Sequence, residues 1–251
     1  MANLQNRSSL TAEHLSQQLK RLANQHNIKT WCLAYSGGVD SQVLLHLLHL
    51  TKLPVNAVYI DHGLQAVSNE WAKHCAYQCQ QRDIPFQVIS VDALPRKGEG
   101  PEAAARTARY AALKKLIKKD MCLLTAQHQD DQSETVLLQL LRGAGAAGLS
   151  AMPELSVFSA GWHYRPLIGN TQQSILEYAE QYGLVWVDDP TNQQQDYYRN
   201  YLRHTVIPTL KERWPSLDKT LSVFAQQQAE NTQLLTVLGD SDLQTVLIDE
   251  N

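Results

Sequence analysis

Apolar and polar positions along the chain alternate between two periods. Short runs rich in β-branched or aromatic residues at Thr30–Tyr35, Val55–Ile60, Pro85–Val91 and Met121–Thr125 predict strands. Between them, Asp40–Leu50, Ala66–Arg82 and Glu102–Lys118 carry the spacing of helices. This alternation predicts an α/β fold, a doubly wound and mostly parallel sheet with helices on both faces. Most of the strand runs are continuously apolar, as strands covered on both faces should be. In such a sheet ligands sit at the carboxyl ends of the strands, where the strand order reverses. Candidate chemistry is therefore sought just after each strand.

Beyond Gly148 the pattern loosens. Trp162–Leu167 reads as a short edge segment, Gln172–Tyr182 as a helix ending at Gly183, and Leu184–Val187 as a short strand. Asp188-Asp189-Pro190-Thr191-Asn192 reads as a loop, because the residue before a proline avoids helical geometry. Tyr197–Arg213 predicts a helix stopped at Trp214-Pro215, and the Gln-rich Leu217–Leu238 predicts a second helix with a frayed end. We divide the chain into a main domain, residues 1–214, and a C-terminal helical extension, residues 215–251, serving as a connector.

Composition narrows the class. The 251 residues are 43% hydrophobic and 19% charged, enough for a real core and unlike a disordered tail. The 22 basic and 25 acidic residues give a net charge of −3, which excludes a histone-like polycation but not a local basic surface. Such a surface is visible: Arg96–Lys119 holds eight basic and two acidic residues, whereas Thr220–Asn251 holds five acidic residues and no Lys or Arg. The basic stretch reads either as RNA-binding surface or as a solvated helix end. Four cysteines without paired spacing do not make a disulfide scaffold and fit a reducing cytosol. No apolar run approaches the ~18 residues of a membrane span, and MANLQNRSSL has no apolar leader core. A soluble, cytoplasmic protein without membrane contact is expected.

The first strand runs into Ser36-Gly37-Gly38-Val39-Asp40-Ser41 and then into a helix. Adjacent glycines let backbone approach a ligand, and the helix start offers unpaired N–H groups and a positive dipole end to an anion. Ser36 and Ser41 add hydroxyls, and Asp40 is suited to a metal ion that neutralises phosphate charge. The lysine of the common GxxxxGK[ST] loop is missing. A capped glycine turn would also satisfy the pattern. The hexapeptide resembles the PP-loop of the N-type ATP pyrophosphatases, which have a Rossmann-like fold of the adenine nucleotide alpha hydrolase type. That resemblance implies cleavage of ATP to AMP and pyrophosphate, with Ser36 to Ser41 holding the leaving phosphates.

A second segment separates the families that share this loop. After the fourth strand come Thr125-Ala126-Gln127-His128-Gln129-Asp130-Asp131-Gln132-Ser133-Glu134-Thr135, then Leu141-Arg142-Gly143-Ala144-Gly145 and Gly148-Leu149-Ser150-Ala151-Met152. Locally, Asp131 with Glu134 reads as a capping box and Gly143 as a helix stop. A histidine beside two carboxylates at a strand end also suits Mg²⁺ binding or proton transfer from an amine. The stretch resembles the tRNA(Ile)-lysidine synthetase pattern AHHxDDQxET…LLRGxGxxGLxxM. Gln127 stands in place of the first histidine, so it receives no proton-transfer role. Glu102–Tyr110 resembles that family's ExxARxxRY helix, and Ile60-Asp61-His62-Gly63-Leu64 its DHGL run. Asp189–Asn192 with Arg199–Arg203 and Val206–Leu210 resembles DxSN…RNxxRxxxxPxL. The resemblance covers roughly Leu33–Trp214, which implies that residues 1–214 are the PP-loop catalytic domain and leaves 215–251 as the connector or the start of a truncated tRNA-binding region.

The resemblance implies ligation of L-lysine to C2 of the wobble cytidine in the CAU anticodon of tRNA(Ile), with ATP and Mg²⁺. Cytidine O2 attacks the α-phosphate and pyrophosphate leaves; lysine's ε-amine then attacks C2 and AMP leaves. Decoding shifts from AUG to AUA, and charging from methionine to isoleucine. Within that reading Asp131 is the first choice for base or lysine orienter and His128 the second. Asp40 holds Mg²⁺ with Asp131 or Asp130. Arg106 and Arg109, three apart on one helix face, bracket the phosphate or the tRNA, and Arg199 with Arg203 reach phosphates or anticodon. Each arginine pair also has the plainer reading of a solvated helix surface. Two rival readings stay open: a PP-loop tRNA thiolase, disfavoured by the lack of C-x-x-C, and a fragment that binds ATP or RNA without turnover. The oligomeric state is open, with a dimer as one option.

Overall fold

The computed structural model describes residues 10–63, 68–95, 100–188 and 198–249. Three segments of the reading above fall outside them: MANLQNRSS, the start of the Ala66–Arg82 helix, and Leu64 of the DHGL run. So do Arg96 and Lys97 of the basic stretch, and Asp189–Tyr197.

By Cα proximity the chain forms two compact units, Met1–His128 with Glu154–Asp189 and Gln129–Pro153 with Pro190–Asn251. The first unit holds the sheet. Its elements run α1 (Ala12–His26), β1 (Thr30–Ala34), α2 (Val39–Thr51), β2 (Val55–Asp61), α3 (Ser68–Gln80), β3 (Phe86–Ser90), α4 (Pro101–Leu116) and β4 (Met121–Leu124). After the excursion into the second unit come β5 (Leu155–Phe158), β6 (Gly161–Tyr164) and α7 (Gln172–Gln181). The six strands are ordered β3-β2-β1-β4-β6-β5. All neighbours are parallel except the β5–β6 hairpin. The doubly wound, mostly parallel sheet is as the periodicity predicted.

Alternating strand residues feed two cores. Trp31, Leu33, Val55, Ala57, Tyr59, Cys122 and Leu124 pack with α1, α2, α3 and α7, while Cys32, Val58, Ile60 and Leu123 pack with Leu113 of α4 and Ile117 just past its end. Burying a large aliphatic side chain contributes about 1.5–3 kcal/mol, so these two layers dominate the stability of the unit. Strand order reverses between β1 and β4, which places the loops after these two strands side by side at the switch point.

Three details differ from expectation. Helix α1 was not foreseen; Thr11 caps it by accepting from His14 N, and Leu15, Leu19 and Leu22 form its buried stripe. The Trp162 segment is not an edge: β6 lies between β4 and the unforeseen β5, which takes the edge. Leu184–Val187 is not a strand. Val187 N–H donates to the carbonyl of Gly37 (2.9 Å), a turn oxygen and not a strand edge, so no ladder extends.

The second unit is helical: α5 (Gln129–Leu141), α6 (Ala146–Leu149), α8 (Tyr198–Tyr201), a π-helical turn (Leu202–Val206), α9 (Ile207–Arg213) and α10 (Leu217–Asp249). Helix α5 stops at Gly143, at positive φ, as expected. The capping-box reading of Asp131 and Glu134 fails, because α5 begins at Gln129 and both side chains lie inside it, turned to other partners. Gln132 exchanges two hydrogen bonds with the backbone of Met152, each 3.0 Å, joining the two halves of the second sequence segment. Helix α10 runs to Asp249, well past the frayed end expected near Leu238. No helix among the described residues is long and apolar enough to cross a membrane.

Candidate active site

In the first unit the loop after β1 is held from three sides. Gly37 sits at φ +83, a conformation side chains resist, and a Cβ there would meet Cys75 Sγ at 2.9 Å. Gly38 is the extended N-cap of α2 and accepts from Gln42 N–H (2.9 Å) and Ser41 Oγ (3.0 Å). Ser41 has one hydroxyl proton, spent on Gly38, so Ser36 donates to Ser41 Oγ (3.1 Å). Beneath the loop a buried chain runs from Tyr35 Oη to Gln42, from Gln42 to Gln78 (2.9 Å), and from Arg82 to Gln78 (2.7 Å). Val39 and Asp40 open α2, at the positive end of its dipole. The loop thus offers an anion the backbone N–H groups at the start of α2, while both serine protons are spent within the loop.

The loop after β4 brings His128 to this place. His128 is 2% exposed, and its Nε2 lies 3.8 Å from Asp40 Oδ1. Asp40 keeps 31% of its side chain exposed, which suits a carboxylate that meets a ligand. Gln127 takes a hydrogen bond from Thr125. Thr125 also meets His163 Nε2 (2.7 Å).

Arg106 and Arg109 take different partners. The Arg106 guanidinium lies over the Tyr110 ring, 5.1 Å from its centre. Arg109 donates to His62 Nε2 from Nε (3.4 Å) and Nη2 (3.3 Å). Burial, then the Arg109 charge, push His62 down to about 4 against a weaker pull from Asp61. His62 is therefore neutral near pH 7 and serves Arg109 as an acceptor.

In the second unit, Asp131, Arg199 and Arg203 come together with Glu134, to which the sequence reading gave only a capping role. Arg199 donates to Asp131 Oδ1 (2.8 Å) and Glu134 Oε2 (2.5 Å); Arg203 donates to Glu134 Oε1 (2.5 Å) and Asp131 Oδ1 (3.1 Å). Glu134 is 1% exposed, so its charge requires these guanidiniums. Burial opposes the Arg203 charge, but Glu134 and then Asp131 leave its pKa raised. The capping-box spacing hid Glu134, although a spacing of three between the acids and of four between Arg199 and Arg203 each puts a pair on one helix face. Asp130 pairs with Lys211 (3.2 Å), which also contacts Asp218.

Among the described residues no group of three His, Cys, Asp or Glu side chains could hold a metal ion alone. Mg²⁺ typically uses one or two carboxylates plus substrate phosphates, so Asp40 beside a phosphate-cradling loop fits it.

The sequence model of the PP-loop domain matches residues 11–210. Among curated proteins, the chain is 42% identical over 223 residues to the tRNA(Ile)-lysidine synthase of Methylococcus capsulatus, covering 87% of this chain and 51% of that protein. It is 44% identical over 218 residues to the enzyme of the same name from Pectobacterium atrosepticum, covering 85% and 49%. The chain thus spans about half the length of the curated relatives it matches. Among solved structures, the U34-tRNA thiolase NcsA of Methanococcus maripaludis aligns with a TM-score of 0.68 at 17% identity, over 87% of this chain and 80% of that one. NMN synthetase from Francisella tularensis aligns at 0.51 and 12% identity, over 86% and 93%. At such identities these two speak for the fold alone. The match of that sequence model across most of the chain, over a loop, strand and helix built as described, makes this protein a member of the PP-loop domain family, with tRNA(Ile)-lysidine synthases among its relatives.

Proposed function

We propose that the chain carries the catalytic chemistry of ATP-dependent lysidine formation on tRNA(Ile) with a CAU anticodon. One observation supports this reading above others: His128 stands against Asp40 of the loop at the switch point, in a chain 42–44% identical to tRNA(Ile)-lysidine synthases. Residues 1–214 carry this chemistry and residues 215–251 serve as a helical connector, the protein acting in the cytoplasm.

The loop from Ser36 to Ser41 cradles the β- and γ-phosphates that depart. Asp40 would hold a Mg²⁺ ion, which would supply positive charge to offset that on the phosphate oxygens. Cytidine O2 attacks the α-phosphate, and its bond to phosphorus replaces the one lost to pyrophosphate. Arg106, Arg109 and Arg199 offset the charge of the phosphoryl transition state. Lysine's ε-amine, neutral when it attacks, forms the new C2–N bond; the C2–O2 bond breaks and AMP leaves with that oxygen. The amine's proton passes to Asp131, or to His128 as second choice. Asp131 Oδ1 already accepts from two guanidiniums, which hold the carboxylate in place to orient the incoming amine.

The thiolase alternative is weaker. Cys32, Cys75, Cys79 and Cys122 are all buried, and burial pushes each thiol up to about 11 or 12. Sulfur carriers need an accessible, readily ionised thiol.

The test is incorporation of labelled lysine into unmodified CAU tRNA(Ile) with ATP and Mg²⁺, against elongator methionine tRNA. Selective, ATP-dependent labelling is expected, with Asp40→Ala and Asp131→Ala each losing at least about 100-fold while keeping a cooperative melt. Absence of labelling with ATP still bound, or sulfur transfer from a sulfide donor, would overturn the proposal.

A further inference from the structure

Helix α1 turns a polar side toward a cleft in the first unit. His14, Gln17, Gln18 and Arg21 follow the i, i+3, i+4, i+7 spacing and so share one face, beside the buried stripe of Leu15, Leu19 and Leu22. Glu154, just before β5, and Pro166 and Ile168, just after β6, help to complete the lining. The cleft holds about 430 Å³, within the roughly 300–1,000 Å³ of small-molecule sites.

Tyr164 at the end of β6 fixes the polar groups of this cleft. It is 2% exposed, and its hydroxyl donates to Gln18 Oε1 (2.8 Å), with Glu154 Oε1 at 3.3 Å. The hydroxyl has one proton, so the nearer amide oxygen takes most of it and the Glu154 carboxylate keeps open lone pairs. With its oxygen turned to Tyr164, Gln18 donates from Nε2 to His14 Nε2 (3.0 Å). Arg21 and Glu154 line the same cleft but form no ion pair with each other. Among the described residues Arg21 donates no side-chain hydrogen bond. Both charges are felt at Tyr164: burial raises its pKa, Glu154 raises it further, and Arg21 pulls it back. A lone anion in the cleft would meet the like charge of Glu154, and a lone cation that of Arg21. A molecule that carries both signs satisfies the two walls at once.

We infer that this cleft binds a zwitterionic α-amino acid, its carboxylate on the Arg21 guanidinium and its ammonium on Glu154. A guanidinium takes a carboxylate through two parallel hydrogen bonds, which fixes orientation as well as charge. Pro166 and Ile168 give the aliphatic part of a side chain an apolar surface. Asp40, His128 and Asp131 do not line the cleft, so it is a second site and does not depend on the proposed reaction.

The experiment titrates the full chain with L-norleucine, hexanoate and pentylamine, followed by ligand NMR. L-Norleucine has no ε-amine to be transferred; hexanoate lacks its ammonium and pentylamine its carboxylate. We expect saturable binding of L-norleucine, with the other two at least about 10-fold weaker. Arg21→Gln and Glu154→Gln should each weaken L-norleucine by about 10- to 100-fold. Lys52→Gln, which removes an exposed cation after α2, should change little, and Asp131→Ala should keep the binding. Hexanoate held as tightly as L-norleucine would make this a plain anion site and overturn the inference. So would the absence of saturable binding, equal loss in Lys52→Gln, or a loss confined to Asp131→Ala. L-Norleucine bound by a protein that transfers no lysine would leave the cleft standing and defeat only the proposed reaction.

Discussion

At His163 a single ring carries a pH dependence. Burial, then the charges of Arg165 and Arg106, push its pKa down to about 3, while Nε2 stays bonded to Thr125. The unfolded ring titrates near 6.5, so between pH 6.5 and about 3 the unfolded chain binds the extra proton. His163 therefore contributes stability above pH 6.5 that drains away as the pH falls through this window. His62, held near 4, acts in the same sense. We expect the melting temperature to fall steadily on acidification from pH 7 to 4.5, and His163→Gln, which keeps a polar partner for Thr125, to flatten that fall. Parallel curves for wild type and variant, followed by circular dichroism, would count against this assignment.

Among elements, α10 is the one whose packing exceeds what its sequence suggested. Lys211 of α9 bridges Asp130 of α5 and Asp218 of α10, and Asp218 is 8% exposed. Burial works against the Lys211 charge, yet its hydrogen bond to Asp218 and the nearby Asp130 leave its pKa raised. Asp218→Ala should cost about 2 kcal/mol and lower the melting temperature by roughly 4–8 °C, while Asp218→Asn should recover part of it. An unchanged melt would remove the bridge from the stability account. The same scale shows what was legible. Parallel strands announced themselves because β-branched runs covered on both faces leave little doubt of period. Helix α1 did not, because its three leucines are set among Glu13, His14, Gln17, Gln18, Lys20 and Arg21, and Thr11 was not recognised as its cap. The loop after β1 was readable from local chemistry. The partners of Glu134 were not, since they lie 65 and 69 residues away, beyond any local pattern.

The whole molecule is two units of unequal optical character. Trp31, Trp71, Trp162 and Trp186 belong to the first unit and Trp214 alone to the second, where it is 58% exposed. Tryptophan emission therefore reports the sheet-bearing unit, while far-ultraviolet circular dichroism also sees α5 and α10. In Asp218→Ala we expect the dichroism transition to move to lower denaturant ahead of the emission transition. Coincident shifts would mean that the two units unfold as one.

The second unit is also discontinuous in the chain, and this bears on its birth at the ribosome. Residues of α5 emerge while Arg199 and Arg203 are still to be translated. At about 5–20 residues per second, Glu134 waits roughly 3–13 s for the first of its guanidiniums, 65 residues downstream. For that interval a carboxylate destined for burial must stay hydrated, so α5 is held open until the chain supplies the charge that lets it close.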